Sequence, residues 1–201
     1  MSAIGIVLLA AGGSTRLGTP KQLLPYQGKS LLRRAAESAV ASHCRPIVVV
    51  LGAHAEECDC ELRNLPVSIV INTDWMEGMG ASLRLGVKTL LGESTLSLDA
   101  VIVILCDQPL LTVSTLNALI DAYDTTSSRI VASEYGEIVG VPALFHNSLF
   151  PELLNLNGAQ GARQILRRHP HETHKVAFAD GGIDIDTAAD YERLRTGDPS
   201  E

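Results

Sequence analysis

Leu9-Ala10-Ala11-Gly12-Gly13-Ser14-Thr15-Arg16-Leu17-Gly18-Thr19-Pro20-Lys21-Gln22 is the stretch around which the chain reads. An unbroken apolar run, Ile4 to Leu9, feeds it. Such a run, with no polar alternation, suits a strand buried on both faces. The side chains then shrink to three glycines and two alanines, which lets backbone come close to a ligand. Amides in such a turn can form an anion-binding concavity. Arg16 and Lys21 add a planar fork and a mobile point charge. Strand, small-residue loop, Arg and Lys outline a phosphate-binding loop. The plainer alternative is a Gly-rich turn with two solvated cations. Two common glycine signatures are missing. Thr19 follows Gly18 where G-x-x-x-x-G-K-[ST] needs Lys, and Gly12-Gly13 lacks the intervening residue of G-x-G-x-x-G. The second absence disfavours an NAD-dependent dehydrogenase.

The order L-A-A-G-x-S-x-R-x-G-x-x-K, complete from Leu9 to Lys21, resembles the signature loop of the MobA-like nucleotidyltransferases. Its A-A-G form is similar to the molybdenum cofactor cytidylyltransferase (MocA-like) branch. Related sugar-nucleotide and cytidylyl transferases share a similar loop. The resemblance covers nearly the whole chain. It implies an α/β fold of the Rossmann-like (GT-A-like) kind, three layers α/β/α around a mostly parallel sheet. It implies nucleotide binding by Leu9, Ala10, Ala11, Gly12, Gly13, Arg16 and Lys21.

Composition agrees with a folded domain. With 201 residues, 46% apolar and 19% charged, the chain can bury one sizeable core. The expected division is a single domain over 1–195 and a frayed tail over 196–201. A net charge of −7 argues against nonspecific nucleic-acid binding. No apolar run is long enough to span a membrane, and the start lacks a basic n-region, so a cytoplasmic protein is expected. Cys44, Cys58, Cys60 and Cys106 read as reduced thiols, since Cys58-Asp59-Cys60 has no second Cys/His pair to complete a zinc site.

Along the chain, apolar strands alternate with helical patterns, which predicts a mostly parallel sheet covered on both faces. Ser30 caps a helix carrying Leu32, Ala35, Ala36, Ala39 and Val40. Ile47 to Leu51 and Val67 to Ile71 are strands. The second leads into Asn72-Thr73-Asp74-Trp75-Met76-Glu77-Gly78-Met79-Gly80-Ala81-Ser82, where Gly78 and Gly80 precede a helix and leave backbone donors free. This segment resembles the family's N-x-x-W-x-x-G-x-x-x-S element. The likeness gives Asn72, Gly78 and Ser82 to the nucleotide. Physics alone allows a helix cap, flexible glycines and a buried tryptophan.

Ala100 to Leu105 is the strongest strand and ends in Cys106-Asp107-Gln108-Pro109. A carboxylate at the C-terminal end of a buried strand lies where open α/β sheets bind ligands. C-D-Q-P resembles the family's metal-binding D-x-P element. Mg²⁺ takes oxygen ligands, usually one or two carboxylates plus substrate phosphates. Ile130 to Ser133 reads as a strand and Glu134 to Glu137 as a turn. Gly140-Val141-Pro142-Ala143-Leu144-Phe145 resembles the G-x-P-x-x-F segment that lies beside the acceptor, which makes Gly140 and Pro142 acceptor-binding candidates. Without the likeness it is a strand edge meeting a loop.

In Gly158-Ala159-Gln160-Gly161-Ala162-Arg163, Ala159 stands where the family carries aspartate, which bears on the acceptor. His169, His171 and His174 form a His-rich stretch; histidines at such spacing can bind metal, but without a supporting acid or cysteine a solvated connection is expected. Asp184-Ile185-Asp186-Thr187 precedes a final helix and resembles the D-I-D-T ending. The likeness makes Asp186 the second Mg²⁺ ligand, with Asp184 behind it or in the turn. An acidic helix cap is the simpler use.

The expected reaction transfers CMP from CTP to a phosphorylated acceptor, molybdopterin cofactor, with release of pyrophosphate. A molybdoenzyme or its chaperone is a further expected partner. An anionic acceptor phosphate needs no strong base, so positioning and electrostatics carry the catalysis. Arg16, Lys21 and Asp107 are the catalytic candidates. The alternatives are a non-catalytic nucleotide-binding or cofactor-delivery protein, and a related cytidylyl or sugar-nucleotide transferase.

Overall fold

The computed structural model describes residues 2–15, 17–94 and 97–196. Strand β1 (Ile4–Ala10) is buried along its whole length, as its lack of polar residues requires. Its side chains alternate between two layers. Ile4, Ile6 and Leu8 join one core cluster, while Val7 and Leu9 join the other.

After β1 come the glycine loop, a 3₁₀ turn at Lys21–Leu23 and a small ribbon, β2 (Pro25–Tyr26) with β3 (Lys29–Ser30). Helix α1 (Leu31–Ala41) starts where Ser30 Oγ accepts the amide of Arg33, the cap read from the sequence. It is followed by β4 (Ile47–Leu51), α2 (Ala55–Leu62), β5 (Ser68–Ile71), α3 (Met79–Glu93) and β6 (Ala100–Leu105). Helix α4 (Val113–Thr126) begins on Thr112, whose side chain accepts the amide of Thr115. The second half holds β7 (Ile130–Tyr135), β8 (Ile138–His146), α5 (Phe150–Leu154), α6 (Arg163–Arg168), β9 (Thr173–Ala177) and α7 (Ala188–Thr196). Helix α7 contains Thr196, the first residue of the expected tail; 197–201 lie outside the described residues.

The main sheet has seven strands in the order β5-β4-β1-β6-β8-β7-β9. Only β8 runs against its neighbours, pairing antiparallel with β6 and β7. Helices α1, α2 and α4 cover one face through Leu32, Ala36, Cys58, Leu116 and Leu119. Helices α3, α5 and α6 cover the other through Leu83, Val87, Phe150, Leu153 and Ile165. This is a three-layer, mostly parallel Rossmann-like sheet. From β1 the chain steps outward to β4 and β5, then crosses back through α3 to place β6 on the other side of β1. That reversal opens a crevice past the C-terminal ends of β1 and β6.

The segment 134–146 departs from the sequence reading. Glu134 and Tyr135 extend β7, and the turn is confined to Gly136–Glu137. Gly140 and Pro142 lie inside an interior strand, not at a strand edge. Pairing with β6 and β7 overrides the local Gly and Pro signals.

Candidate active site

The glycine loop leaves β1 at the crevice. Leu9, Ala10 and Ala11 are buried under it, and Gly12 is exposed. Ser14 adopts φ 51°, a left-handed turn that its short polar side chain tolerates. The Ser14 hydroxyl oxygen accepts the Lys21 amide at 2.9 Å. Gln22 is 1% exposed, and its Nε2 donates to the carbonyls of Ala10 at 2.9 Å and Gly12 at 2.6 Å. One buried amide therefore fixes both limbs of the loop. Sequence reasoning gave Gln22 no role, although its place directly after Lys21 was the available signal. Arg16 lies outside the described residues.

Lys21 points its ammonium across the crevice mouth. It donates to Asp107 Oδ2 and, at 3.2 Å, to Asp186 Oδ1. Burial alone would push the Lys21 pKa down, but the Asp107 carboxylate outweighs it and the pKa is raised. Asp107 follows β6, next to β1 in the sheet, and its carbonyl accepts the Ile185 amide at 3.2 Å. That bond brings the 184–186 segment against β6. Asp184 joins the group: burial first, then the Asp107 charge, raises its pKa to about 6. Three carboxylates from two distant segments thus converge on one lysine.

The enclosed oxygens Asp107 Oδ1 and Asp184 Oδ1 have no hydrogen-bond partner. Buried carboxylate oxygens normally find one. Hard oxygen donors with spare lone pairs suit a divalent cation such as Mg²⁺. In this conformation no set of three or more metal-ligating side chains is preassembled among the described residues, and Lys21 bridges Asp107 and Asp186. The donor chemistry fits the ion, with Asp107 and the 184–186 carboxylates as its holders.

The opposite wall comes from the segment before α3. Asn72 and Ser82 meet as a buried pair, Nδ2 donating to Oγ at 2.9 Å. Trp75 is half-buried and lies on the loop, so that a Cβ at Gly13 would fall 2.9 Å from its ring. The expectation that Gly78 and Gly80 both precede the helix with free donors is corrected: Gly78 is the N-cap of α3, while Gly80 and Ser82 lie in its first turn, and both glycine amides are engaged. The Gly80 amide donates to the Gly158 carbonyl at 2.8 Å, and the Gly78 amide to Trp75 O at 3.1 Å. The 157–161 loop is seated on Gly78 and Gly80, with Ala159 Cα 2.9 Å from where a Gly78 Cβ would stand. Gly78 has φ 113°, so glycine is required there for both reasons.

On the far side of Asp107, buried Gln108 donates through Nε2 to Val141 O at 2.9 Å and Gly181 O at 3.0 Å. Gly140 lies under the Tyr135 hydroxyl, where any Cβ would collide at 2.1 Å. The Pro142 carbonyl accepts the Ser133 hydroxyl at 2.8 Å. Both acceptor candidates are thus buried in β8, with Tyr135 over Gly140. The structure gathers Lys21, Asp107 and Asp186 at one point, and puts Gly140 and Pro142 behind it.

The remaining candidates are structural. All four cysteines are free thiols, and burial first of all raises Cys44 to about 11 and Cys58 to about 12. His169 is held between Glu172 at 2.8 Å and Glu152 at 2.9 Å. No described helix is long and apolar enough to cross a membrane.

With this geometry in hand, comparison with known proteins is decisive at the family level. The MobA-like NTP transferase domain model matches residues 6–173. The chain belongs to the MobA-like NTP transferase family. It is 36% identical over 200 residues to nicotine blue oxidoreductase of Paenarthrobacter nicotinovorans, covering 94% of each chain. It is 30% identical to purine catabolism protein PucB of Bacillus subtilis, again over 94% of each. Molybdenum cofactor cytidylyltransferase of Escherichia coli is 24% identical over 95% of each. Among solved structures, Rv0371c of Mycobacterium tuberculosis superposes with a TM-score of 0.81 at 30% identity, covering 96% of this chain and 97% of that one. The same protein has been crystallised with manganese; that structure has a TM-score of 0.77 at 27% identity and covers 96% of this chain and 98% of its own. The family and fold expected from the loop are thereby established.

Proposed function

We propose that this protein transfers CMP from CTP to the terminal phosphate of a molybdopterin-type cofactor and releases pyrophosphate. The observation that carries the reading is Lys21, held by Asp107 and Asp186 at the mouth of the glycine loop. The loop amides and Arg16 hold the β- and γ-phosphates. Lys21, on its flexible stem, turns from the carboxylates to the α-phosphate, where its charge stabilises the transition state. Asp107 and Asp186 would hold Mg²⁺, with Asp184 beside them; the ion, when bound, would supply charge neutralisation for the reacting phosphates. The acceptor phosphate is already an anion and attacks without a general base. Its approach is set by position, which together with electrostatics carries almost all of the catalysis in phosphoryl transfer. The manganese complex of Rv0371c, a relative of the same fold, supports the divalent-cation part of this reading.

The test is turnover with each of the four NTPs, Mg²⁺ and purified molybdopterin cofactor, read by pyrophosphate and by product mass. Pyrophosphate and a cytidylylated product support the reading. NTP binding without turnover supports a binding or delivery protein instead. Turnover only with a sugar phosphate points to a sugar-nucleotide transferase.

A second reading is favoured by the relative at 36% identity whose name is nicotine blue oxidoreductase. In it, the same crevice holds a dye of the kind that relative's name gives and supports its oxidation or reduction. A change in the absorbance of such a dye when a redox partner is supplied, with no pyrophosphate from any NTP, would select it.

A further inference from the structure

A second cleft, of about 560 Å³, opens beyond the acceptor candidates, between the β7–β8 turn, α6 and β9. Its volume suits a small organic molecule. Its floor is apolar, made by Val139, Leu166 and the 46% exposed Ile138. Its walls carry Arg163, Arg167 and Lys175, with Glu137 at the lip.

The three cations differ in their engagement. Lys175 is paired with Glu134 at 2.8 Å. Arg163 makes only a 3.5 Å contact to the Tyr135 hydroxyl, and Arg167 has no hydrogen-bond or ion-pair partner among the described residues. Elsewhere in this acidic chain, Arg33, Arg84, Arg129, Arg168, Arg193 and Arg195 each meet a carboxylate, while Arg34, Arg45 and Arg63 form no ion pair among the described residues. What sets Arg163 and Arg167 apart is that both line one cleft beside an apolar floor, with no carboxylate paired to either.

The cleft is also wired to the active site. Arg163 touches Tyr135, and Tyr135 packs on both Gly140 and Gly181. Gly181 accepts from Gln108, the neighbour of Asp107.

We infer that this cleft is a second ligand site, separate from the reacting phosphates, that binds a flat or apolar organic anion carrying phosphate or carboxylate, with Arg163 and Arg167 as its forks and Val139, Leu166 and Ile138 against its body. Arg suits this task because its planar fork meets two anionic oxygens at once. The apolar floor accounts for the body, since each buried apolar surface element adds affinity independent of charge.

The experiment uses 2-naphthyl phosphate as the probe, titrated calorimetrically into the full chain, with 2-naphthol as the uncharged control. The expected result is binding of the phosphate and at least tenfold weaker binding of the naphthol. Arg163→Gln/Arg167→Gln should weaken the phosphate at least tenfold and leave CTP affinity, read by Trp75 fluorescence, within twofold. Arg167→Lys, which keeps the charge and loses the fork, should fall between. Equal binding of probe and control, no binding of either, or unchanged probe affinity in the double variant would overturn the inference. So would a parallel fall in CTP affinity. A circular dichroism spectrum matching the parent excludes unfolding as the cause, and Arg167→Glu alone provides a second, solvent-exposed variant. Binding is read without turnover, so failure of the transferase assay leaves this result to be judged on its own.

Discussion

The Lys21 ammonium donates to Asp186 Oδ1 at 3.2 Å, joining residues 165 positions apart, and the same nitrogen also donates to Asp107. Each residue contributes a different segment to one point. Lys21→Ala and Asp107→Asn are each expected to lower kcat about 10²- to 10³-fold, the usual loss when one charge-stabilising group is removed. Continuous pyrophosphate release measures this. Turnover near the parent rate in both variants would reject the site.

Asp184 makes stability depend on pH. Its folded-state pKa is raised to about 6 from 3.8, by burial first and then by Asp107. A raised carboxyl pKa means that the folded state binds more protons than the unfolded state between those values. Its stabilising contribution is therefore complete below pH 3.8 and is lost as pH rises through about 6. In chelator, Asp184→Asn should raise Tm at pH 7 and flatten the Tm profile between pH 4 and 6. A profile identical to the parent would contradict the assignment. Adding Mg²⁺ at pH 7 should raise Tm of the parent more than that of Asp184→Asn.

Gln22 fastens the loop by bonds to two carbonyls. Gln22→Ala removes the side-chain donor from the buried Ala10 carbonyl and from the more open Gly12 carbonyl and should cost about 1–3 kcal/mol, read from the urea midpoint. Nucleotide affinity should fall with it, because the loop loses its internal brace. An unchanged midpoint would show that the amide is dispensable.

Asn72 and Ser82 form a buried hydrogen-bonded pair at 2.9 Å. A double-mutant cycle with Asn72→Ala and Ser82→Ala should give a coupling energy of about 1 kcal/mol. Strict additivity would mean the pair contributes nothing jointly.

Trp75 is the sole tryptophan and lies against Gly13 of the loop. NTP addition should therefore change its emission, and Gly13→Ala, which pushes on the ring, should shift the spectrum of the free protein. A flat titration alongside calorimetric binding would place the nucleotide elsewhere.

Much of this was legible in the sequence because apolar runs and small-residue loops carry their meaning locally. The continuous aliphatic run Ala100–Leu105 is β6, with Asp107 just past its C-terminal end, and the loop from Leu9 to Lys21 names its own chemistry. Features that depend on distant partners were not legible. Glu134 and Tyr135 look like turn residues, yet pairing with β8 and β9 makes them strand. Gly80 looks like a free donor until the Gly158 carbonyl arrives from far along the chain. Gln22 is an ordinary polar residue until folding encloses it. Arg163 and Arg167 become notable only once folding sets both around one apolar cleft.

The strand order has a consequence for how this chain can change. β5, β4, β1 and β6 are built from residues up to 105, whereas β8, β7 and β9 come from 130 onward. The antiparallel β8 is the seam between them. Each half is one continuous length of polypeptide, yet the site is shared between them, so a replacement of the part from 130 onward would have to restore Asp186 beside Lys21 and the Gly158 carbonyl at Gly80. Helix α7 is the clasp that returns, with the Tyr191 hydroxyl donating to the Pro25 carbonyl at 2.6 Å. The replacement would have to bring its own version of that clasp.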